Sequence, residues 1–416
     1  MSVIRPFKAI RPKAQLAEKV AALPYDVMSS DEAREMVIGN PYSFLHIDKA
    51  EIDLDKNINL YDDRVYEKAA ENLNKMIADG VFIKDTSPML YIYMLTMNGK
   101  RQTGLVSCTS IDEYLNGKIK KHELTREAKE KDRIRHVDTC NANTGPIFLT
   151  YKNREEINYI IEEFKKQNSP VYNFSTEDDI IHTVWIIDSK EVILKLVEEF
   201  KAVPSLYIAD GHHRNASAVK VALKRREEFS DAPEDSEFNF YLSVLFPDNQ
   251  LFIMDYNRVV KDLNGLSEEQ FFERLEESFT VSECGKDNSP YKPARPKTFG
   301  MYIGGRWYSL APKDYVNKQG DVVANLDVSV LQNYLLSPIL GIEDPRSDDR
   351  IDFVGGIRGL SELEKRVDTG EMKVAFSMFP TSMEELMEIA DNGRIMPPKS
   401  TWFEPKLRSG LFIHEL

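Results

Sequence analysis

Apolar positions recur at helical spacing in several stretches of this chain. Residues 61–78 read as an amphipathic helix ended by Asp79-Gly80, and residues 30–37 as a shorter one with Asp31 and Glu32 in its first turn. The same period runs through 155–166, 190–201 and 215–228, the last with Ala216, Val219, Ala222 and Leu223 as its inner stripe. Residues 126–136 make a helix dominated by charge. Short apolar runs at 91–95, 146–150, 183–187 and 205–209 predict strands. Asn98-Gly99 predicts a tight hairpin to a partner strand at 103–108. Pro247-Asp248-Asn249 predicts a second hairpin between 240–246 and 251–254, and Gly304-Gly305 a third between 299–303 and 307–310. Two later strands, 351–356 and 373–379, each lead into a helix start with a capping-box pattern, Ser361 with Glu364 and Ser382 with Glu385. Paired prolines keep 396–401 out of any helix. Strands and helices intermixed in this way predict a mixed α/β fold.

At 416 residues the chain exceeds what one core serves, and it divides on this reading into an N-terminal mixed lobe (1–110), a core (111–262) and a C-terminal α/β lobe (263–416). No run approaches the roughly 18–20 apolar residues that cross a bilayer. The opening Met1-Ser2-Val3-Ile4-Arg5-Pro6-Phe7 lacks the apolar stretch of a secretory signal, so a cytoplasmic protein with no membrane partner is expected. Cys108, Cys140 and Cys284 are odd in number and far apart, which argues against a disulfide framework or a cysteine zinc site. The net charge of −14 argues against nucleic acid as a partner, since such proteins carry a basic face, but says nothing against a small anion in a pocket. The oligomeric state stays open.

The densest chemistry lies at Asp210-Gly211-His212-His213-Arg214, between an apolar strand and a helix. Gly211 allows a sharp turn or a close approach to a ligand. The helix start behind it offers N–H groups and a positive dipole end to a phosphate or carboxylate, and Arg214 adds a planar cation suited to phosphate oxygens. Asp210 could hold a metal ion or accept a proton. The alternative is that Asp210 caps the helix, Arg214 pairs with an acid and the histidines are incidental. Adjacent histidines suit a shared zinc ion poorly. A second cluster runs from Lys120-Lys121-His122-Glu123-Leu124-Thr125 to Lys129, Lys131, Asp132 and Arg133; Thr125, Lys129, Arg133 and His136 fall on or near one helix face. Against a ligand role stands an ordinary solvated helix with Glu127 and Lys131 paired one turn apart. The third cluster, Lys399-Ser400-Thr401-Trp402-Phe403-Glu404-Pro405-Lys406, is a proline-stiffened loop that could close over phosphate or be no more than a loop. Gly355-Gly356-Ile357-Arg358-Gly359 reads as a tight structural turn rather than an anion nest, and no G-x-x-x-x-G-K-[ST] loop occurs.

At these residues the sequence resembles a known group. Tyr207-Ile208-Ala209-Asp210-Gly211-His212-His213-Arg214 is similar to the phosphate-binding segment of ParB/sulfiredoxin-fold proteins, closest to the D-G-H-H-R form of kinases of free serine. Together with Ile4-Arg5-Pro6-Phe7, Leu23-Pro24-Tyr25-Asp26-Val27, His122-Glu123, Lys131-Asp132-Arg133 and 396–403, the chain resembles over nearly its full length an uncharacterised bacterial and archaeal family, some of whose members are ATP-dependent free-serine kinases. The resemblance implies a ParB/sulfiredoxin-like nucleotide-binding core with added N- and C-terminal lobes, and a small-molecule kinase making O-phospho-L-serine from free L-serine. It implies ATP or ADP as donor, with Mg2+. Glu123, Asp210 and His213 would be catalytic. Gly211, His212, Arg214, Lys131, Arg133, Lys399 and Thr401 would bind the nucleotide, and Asp210 would hold the metal. Two other readings remain: a ParB-like, nucleotide-dependent DNA-binding protein, and a nucleotide- or metabolite-binding regulator without catalysis.

Overall fold

The apolar stripes become helices that bury them. In the computed structural model, which describes residues 2–284, 289–316 and 320–416, the helix Asp63–Ala78 buries Val65, Tyr66, Ala69, Leu73 and Met76 on one face. Asp62 caps it by accepting the Arg64 N–H, and Gly80 follows in the left-handed region. Ser30–Met36, Glu155–Gln167 and Lys190–Lys201 stand where their periodicity places them, the first behind a full capping box of Ser29 and Glu32. Asn98 and Gly99 both take positive φ, 52° and 76°, so Leu90–Met97 and Lys100–Ser110 join in the tight antiparallel hairpin expected of them. The protein is mixed α/β, and among the described residues no helix is long and apolar enough to cross a membrane.

The chain forms two compact units. The first comprises Met1–Lys121, Thr125–Leu251 and Pro405–Leu416, and so draws on the beginning, middle and end of the sequence. Its sheet runs, from one edge, Ile119–Lys120, Leu206–Asp210, Ile147–Tyr151, Phe240–Pro247, Lys100–Ser110, Leu90–Met97, Ile181–Ile187 and Tyr172–Ser175, with Ile4–Arg5 also pairing Lys100–Ser110. Most pairings are antiparallel; Phe240–Pro247 is parallel to Ile147–Tyr151, and Leu206–Asp210 to Ile119–Lys120. Ile157, Ile161, Leu196 and Phe200 from two helices pack with Leu149, Ile187 and Leu206 of the sheet in one core. The register of Leu206–Asp210 against Ile147–Tyr151 shifts between Ile208 and Asp210. Such an irregularity at a strand end re-aims the residues that follow.

The second unit comprises His122–Leu124 and Phe252–Glu404. Its six-stranded antiparallel sheet is ordered Phe279–Glu283, Arg306–Pro312, Phe299–Ile303, Val374–Ser377, Tyr256–Val260 and Ile351–Gly355. The hairpin at Gly304-Gly305 and the Ser382–Glu385 capping box form as read from the sequence. Two expectations fail. No hairpin forms at Pro247-Asp248-Asn249: Asp248–Gln250 is a 3-10 turn without the left-handed residues a tight hairpin needs, and Phe252–Met254 pairs instead with Trp402–Glu404. Nor does Ser361 cap a helix with Glu364. Gly359 precedes Leu360–Asp368, and Glu364 accepts the indole N–H of the fully buried Trp307 at 2.8 Å, a donor that needs an acceptor more than an exposed helix end does.

Candidate functional site

In the first unit, the strand Leu206–Asp210 ends at the turn and the helix His212–Glu228 begins immediately after it. Gly211 is the hinge, at φ +91°, a conformation costly to any side chain. The helix start has no side-chain cap and no acid in its first turn; the nearest carboxylate, Asp210, precedes it and meets the Gly211 N–H. The Arg214 guanidinium folds back over it, its Cζ 3.1 Å from where a Gly211 side chain would begin. One of its terminal nitrogens donates to the Pro146 carbonyl at 2.5 Å; its Nε is buried with no hydrogen-bond partner among the described residues.

Asp210 is engaged on both oxygens. Oδ1 accepts the Gly211 N–H at 2.8 Å and Oδ2 meets Lys406 Nζ at 3.0 Å. Burial alone would raise this carboxyl, but Lys406, Arg214 and the Gly211 N–H outweigh it and hold it well below the ordinary carboxylate range. A carboxylate so stabilised is a weak base. With its charge matched by Lys406 and both oxygens engaged, it does not fit the part of a dedicated magnesium ligand. His212 is buried. His213 is half-buried, and its Nε2 accepts the Arg126 N–H at 2.9 Å, tying the turn to the start of the helix Glu127–Cys140.

Next to the turn lies a small cavity whose walls include Arg214, Arg133, Tyr25, Asp48, Thr144 and His136. Arg133 is 9% exposed, its guanidinium 4.0 Å above the Tyr25 ring and its Nε bonded to Asp132 at 3.0 Å. Asp132 is held in turn by the Tyr66 hydroxyl at 2.9 Å. Lys131, two residues before Arg133, faces solvent in an ion pair with Glu127 at 2.7 Å, the surface-helix arrangement, and Lys129 is exposed. Of the residues singled out on that helix, the cavity therefore takes Arg133 and His136.

In the second unit, the His122 carbonyl accepts the Met396 N–H at 2.8 Å, and the His122 ring lies 3.5 Å from the Thr401 hydroxyl. The half-buried Glu123 thus sits on a segment tied to the proline-rich loop. In that loop Lys399 adopts a left-handed φ of 59°, fixed by a bond of 3.0 Å from Arg258 to its carbonyl. Its ammonium is exposed, 5.6 Å from the Tyr256 ring.

Sequence reasoning missed Tyr25, Asp48, Thr144 and Lys406. Pro24-Tyr25-Asp26 stood out only through the family resemblance, and Lys406 only as one more loop lysine. Asp48 and Thr144 carry no local signal, because they meet only in the fold.

The family described as "Protein of unknown function (DUF1015)" matches residues 4–329. No curated protein matches the sequence. Among solved structures the chain is similar to a free serine kinase in complex with AMP, at 14% identity and TM-score 0.34 over 74% of this chain and 92% of that one. It is also similar to a conserved hypothetical protein from Pyrococcus furiosus, at 15% identity and TM-score 0.36 over 74% and 94%. A third is SbnI of Staphylococcus aureus with a C-terminal truncation, at 10% identity and TM-score 0.38 over 73% and 85%. These are remote likenesses.

Proposed function

This chain belongs to the DUF1015 family, and from that premise we propose that it is a nucleotide-dependent phosphotransferase acting on a small hydroxyl compound, free L-serine being the first candidate. One observation carries the reading: the helix start behind Gly211 has no side-chain cap and no acid within its first turn, and Arg214 lies over it with its Nε unpartnered among the described residues. Backbone N–H groups, a helix dipole and a guanidinium converging on one spot are what a phosphate requires. In this reading the phosphates of ATP or ADP sit on the N–H groups behind Gly211, contacted by His212, His213 and Arg214. The loop of Lys399 and Thr401 is the second candidate for phosphate contact that the sequence offers.

The transfer itself asks the protein chiefly to position groups and neutralise charge. The serine hydroxyl oxygen attacks the terminal phosphorus, the bond from that phosphorus to the nucleotide's bridging oxygen breaks, and AMP leaves from ADP or ADP from ATP. The hydroxyl proton needs a base, and Glu123 is the candidate the sequence offers for that part. Asp210, as a weak base already paired with Lys406, holds the turn instead. Magnesium accompanies the nucleotide and supplies charge neutralisation to its phosphates. The test is to incubate the full chain with L-serine, Mg2+ and either ATP or ADP and to look for O-phospho-L-serine by mass spectrometry. Nucleotide binding without phosphoester formation from any hydroxyl compound would favour a non-catalytic regulator.

A further inference from the structure

The segment Pro405–Leu416 belongs to the first unit and brings Lys406 against the D-G-H-H-R turn. The Lys406 ammonium meets Asp210 Oδ2 at 3.0 Å, while Asp210 Oδ1 takes the Gly211 N–H at 2.8 Å. One carboxylate therefore spans from the lysine to the backbone at the start of the helix His212–Glu228. The pair is open on the acid's side, where 28% of the Asp210 side chain is exposed against 10% of Lys406. A largely buried lysine–aspartate pair is a poor way to stabilise a turn, because desolvating both charges offsets most of their attraction. Charge gives it a better account. Against burial, which would raise it, Lys406 and Arg214 together hold the Asp210 carboxyl below the ordinary range. Within the turn one acid thus faces two cations, which leaves an excess positive charge beside a helix start with no acid in its first turn.

Resting on the phosphotransferase reading, we propose that Lys406 is a catalytic residue, which keeps its bond to Asp210 and donates a further N–H to the phosphoryl group being transferred. An ammonium carries three donors, so one lysine holds an acid and a phosphate oxygen together. Its place in the turn selects the phosphate it meets. Lys406 arrives at Asp210, before the Gly211 hinge, whereas the helix N–H groups and Arg214 lie after it. A polyphosphate seated on those N–H groups meets Lys406 with the end that projects back past Asp210. The two cations also differ in kind. The Arg214 guanidinium, tied to the Pro146 carbonyl, is a fixed fork for oxygens that stay with the nucleotide. The ammonium is a compact charge on a flexible stem, suited to a phosphorus that moves between two oxygens. In that step the acceptor oxygen bonds to phosphorus, and the bridging P–O bond breaks with its electron pair leaving on the nucleotide. Lys406 gives up no proton; it offsets the charge on the outer oxygens of the group in transit. Asp210 acts through Lys406 as a positioning residue that aims the ammonium at the helix start.

The experiment pairs calorimetry with steady-state kinetics on the full chain, using AMP, ADP and ATP with Mg2+ and L-serine as acceptor. Lys406→Met should lower kcat by about 10²-fold, the scale of one lost transition-state donor. It should weaken the phosphate donor, ADP or ATP, by about tenfold and leave AMP within about twofold of wild type. Lys406→Arg, which restores the charge on a different geometry, should regain part of the rate. Asp210→Asn keeps the ammonium but loses its aim and one negative charge, so kcat should fall while donor affinity is kept or rises; a merely structural role would lower both. If Lys406→Met fails to fold, as judged by its melting curve, the double variant Asp210→Asn/Lys406→Met, which leaves neither charge alone, is compared with Asp210→Asn instead. Rate and donor affinity unchanged on losing Lys406, or AMP weakened as much as ADP and ATP, overturns the assignment. The two proposals also fail separately. A wild type that transfers no phosphate, with Lys406→Met still weakening ADP or ATP over AMP, removes the kinase and keeps Lys406 at the terminal phosphate. Phosphoserine formation undiminished in Lys406→Met keeps the kinase and removes Lys406 from it.

Discussion

Arg214→Ala perturbs two things at once, and the structure separates their sizes. Arg214 donates one charge-assisted hydrogen bond, to the Pro146 carbonyl, and its guanidinium covers the start of the site helix. Losing the first should lower folding stability by about 1.5 kcal/mol, the lower end for a bond to a charged group. Losing the second should weaken nucleotide binding by about 1.5–3 kcal/mol, or roughly 10- to 150-fold in dissociation constant. Arg214→Lys keeps the cation but not the fork and should recover only part of the affinity. Calorimetric titration of wild type and both variants with ADP and ATP measures the second quantity, and urea unfolding of the same samples measures the first. Nucleotide affinity unchanged while stability falls as expected would make Arg214 a structural residue. The phosphate site would then have to be sought elsewhere, first at the Lys399 loop.

Four further outcomes follow from particular contacts. Glu123→Gln should cut turnover by about 10²–10⁴-fold with nucleotide affinity near wild type, measured by steady-state kinetics beside calorimetry; unchanged turnover removes Glu123 from the mechanism. Asp210→Asn removes the charge that Lys406, 10% exposed, meets at 3.0 Å and should cost about 1–3 kcal/mol on urea unfolding, below the fully buried range because Asp210 is 28% exposed. Adding Lys406→Met should recover part of that loss, and strict additivity of the two would deny the coupling. Burial, and then Arg408, push His182 down to about 3, so the unfolded chain takes up a proton that the native ring refuses. Stability should therefore fall as pH drops from about 6.5 towards 3, by up to about 1.4 kcal/mol per pH unit, and His182→Gln should flatten that slope in acid unfolding curves. Ser382→Ala, which removes the cap on Met383–Asp391, should lower stability by about 1 kcal/mol in denaturant melts.

What the sequence announced was local. Lys190–Lys201 and Leu206–Asp210 follow from periodicity, and the Asn98-Gly99 hairpin from residues that tolerate positive φ. The strand-glycine-helix order around Gly211 was legible for the same reason, since glycine is the residue that reaches φ +91° cheaply. What it hid was long-range. Phe252–Met254 finds its partner at Trp402–Glu404, some hundred and fifty positions on by the numbering, where no turn signal can point. Glu364 looks like half of a capping box until Trp307 claims it. Lys406 meets Asp210 only because Pro405–Leu416 returns to the first unit, and Asp48, Arg133 and Thr144 come from three separate segments whose convergence is a property of packing. The charged helix 126–136 illustrates both cases: its Glu127–Lys131 pair was readable one turn apart, while the burial of Arg133 beneath its neighbours was not.

The central claim, that the D-G-H-H-R turn binds nucleotide phosphates for transfer to a small hydroxyl compound, is tested most directly by phosphorus NMR. Purified wild-type protein is followed with Mg2+, ATP or ADP, and a panel of hydroxylated metabolites headed by L-serine. The account predicts that a phosphomonoester resonance grows as the nucleotide's terminal phosphate disappears one for one, and that Arg214→Ala slows this at low nucleotide concentration. Nucleotide that binds at the affinity measured by calorimetry yet transfers no phosphate to any compound in the panel would contradict it.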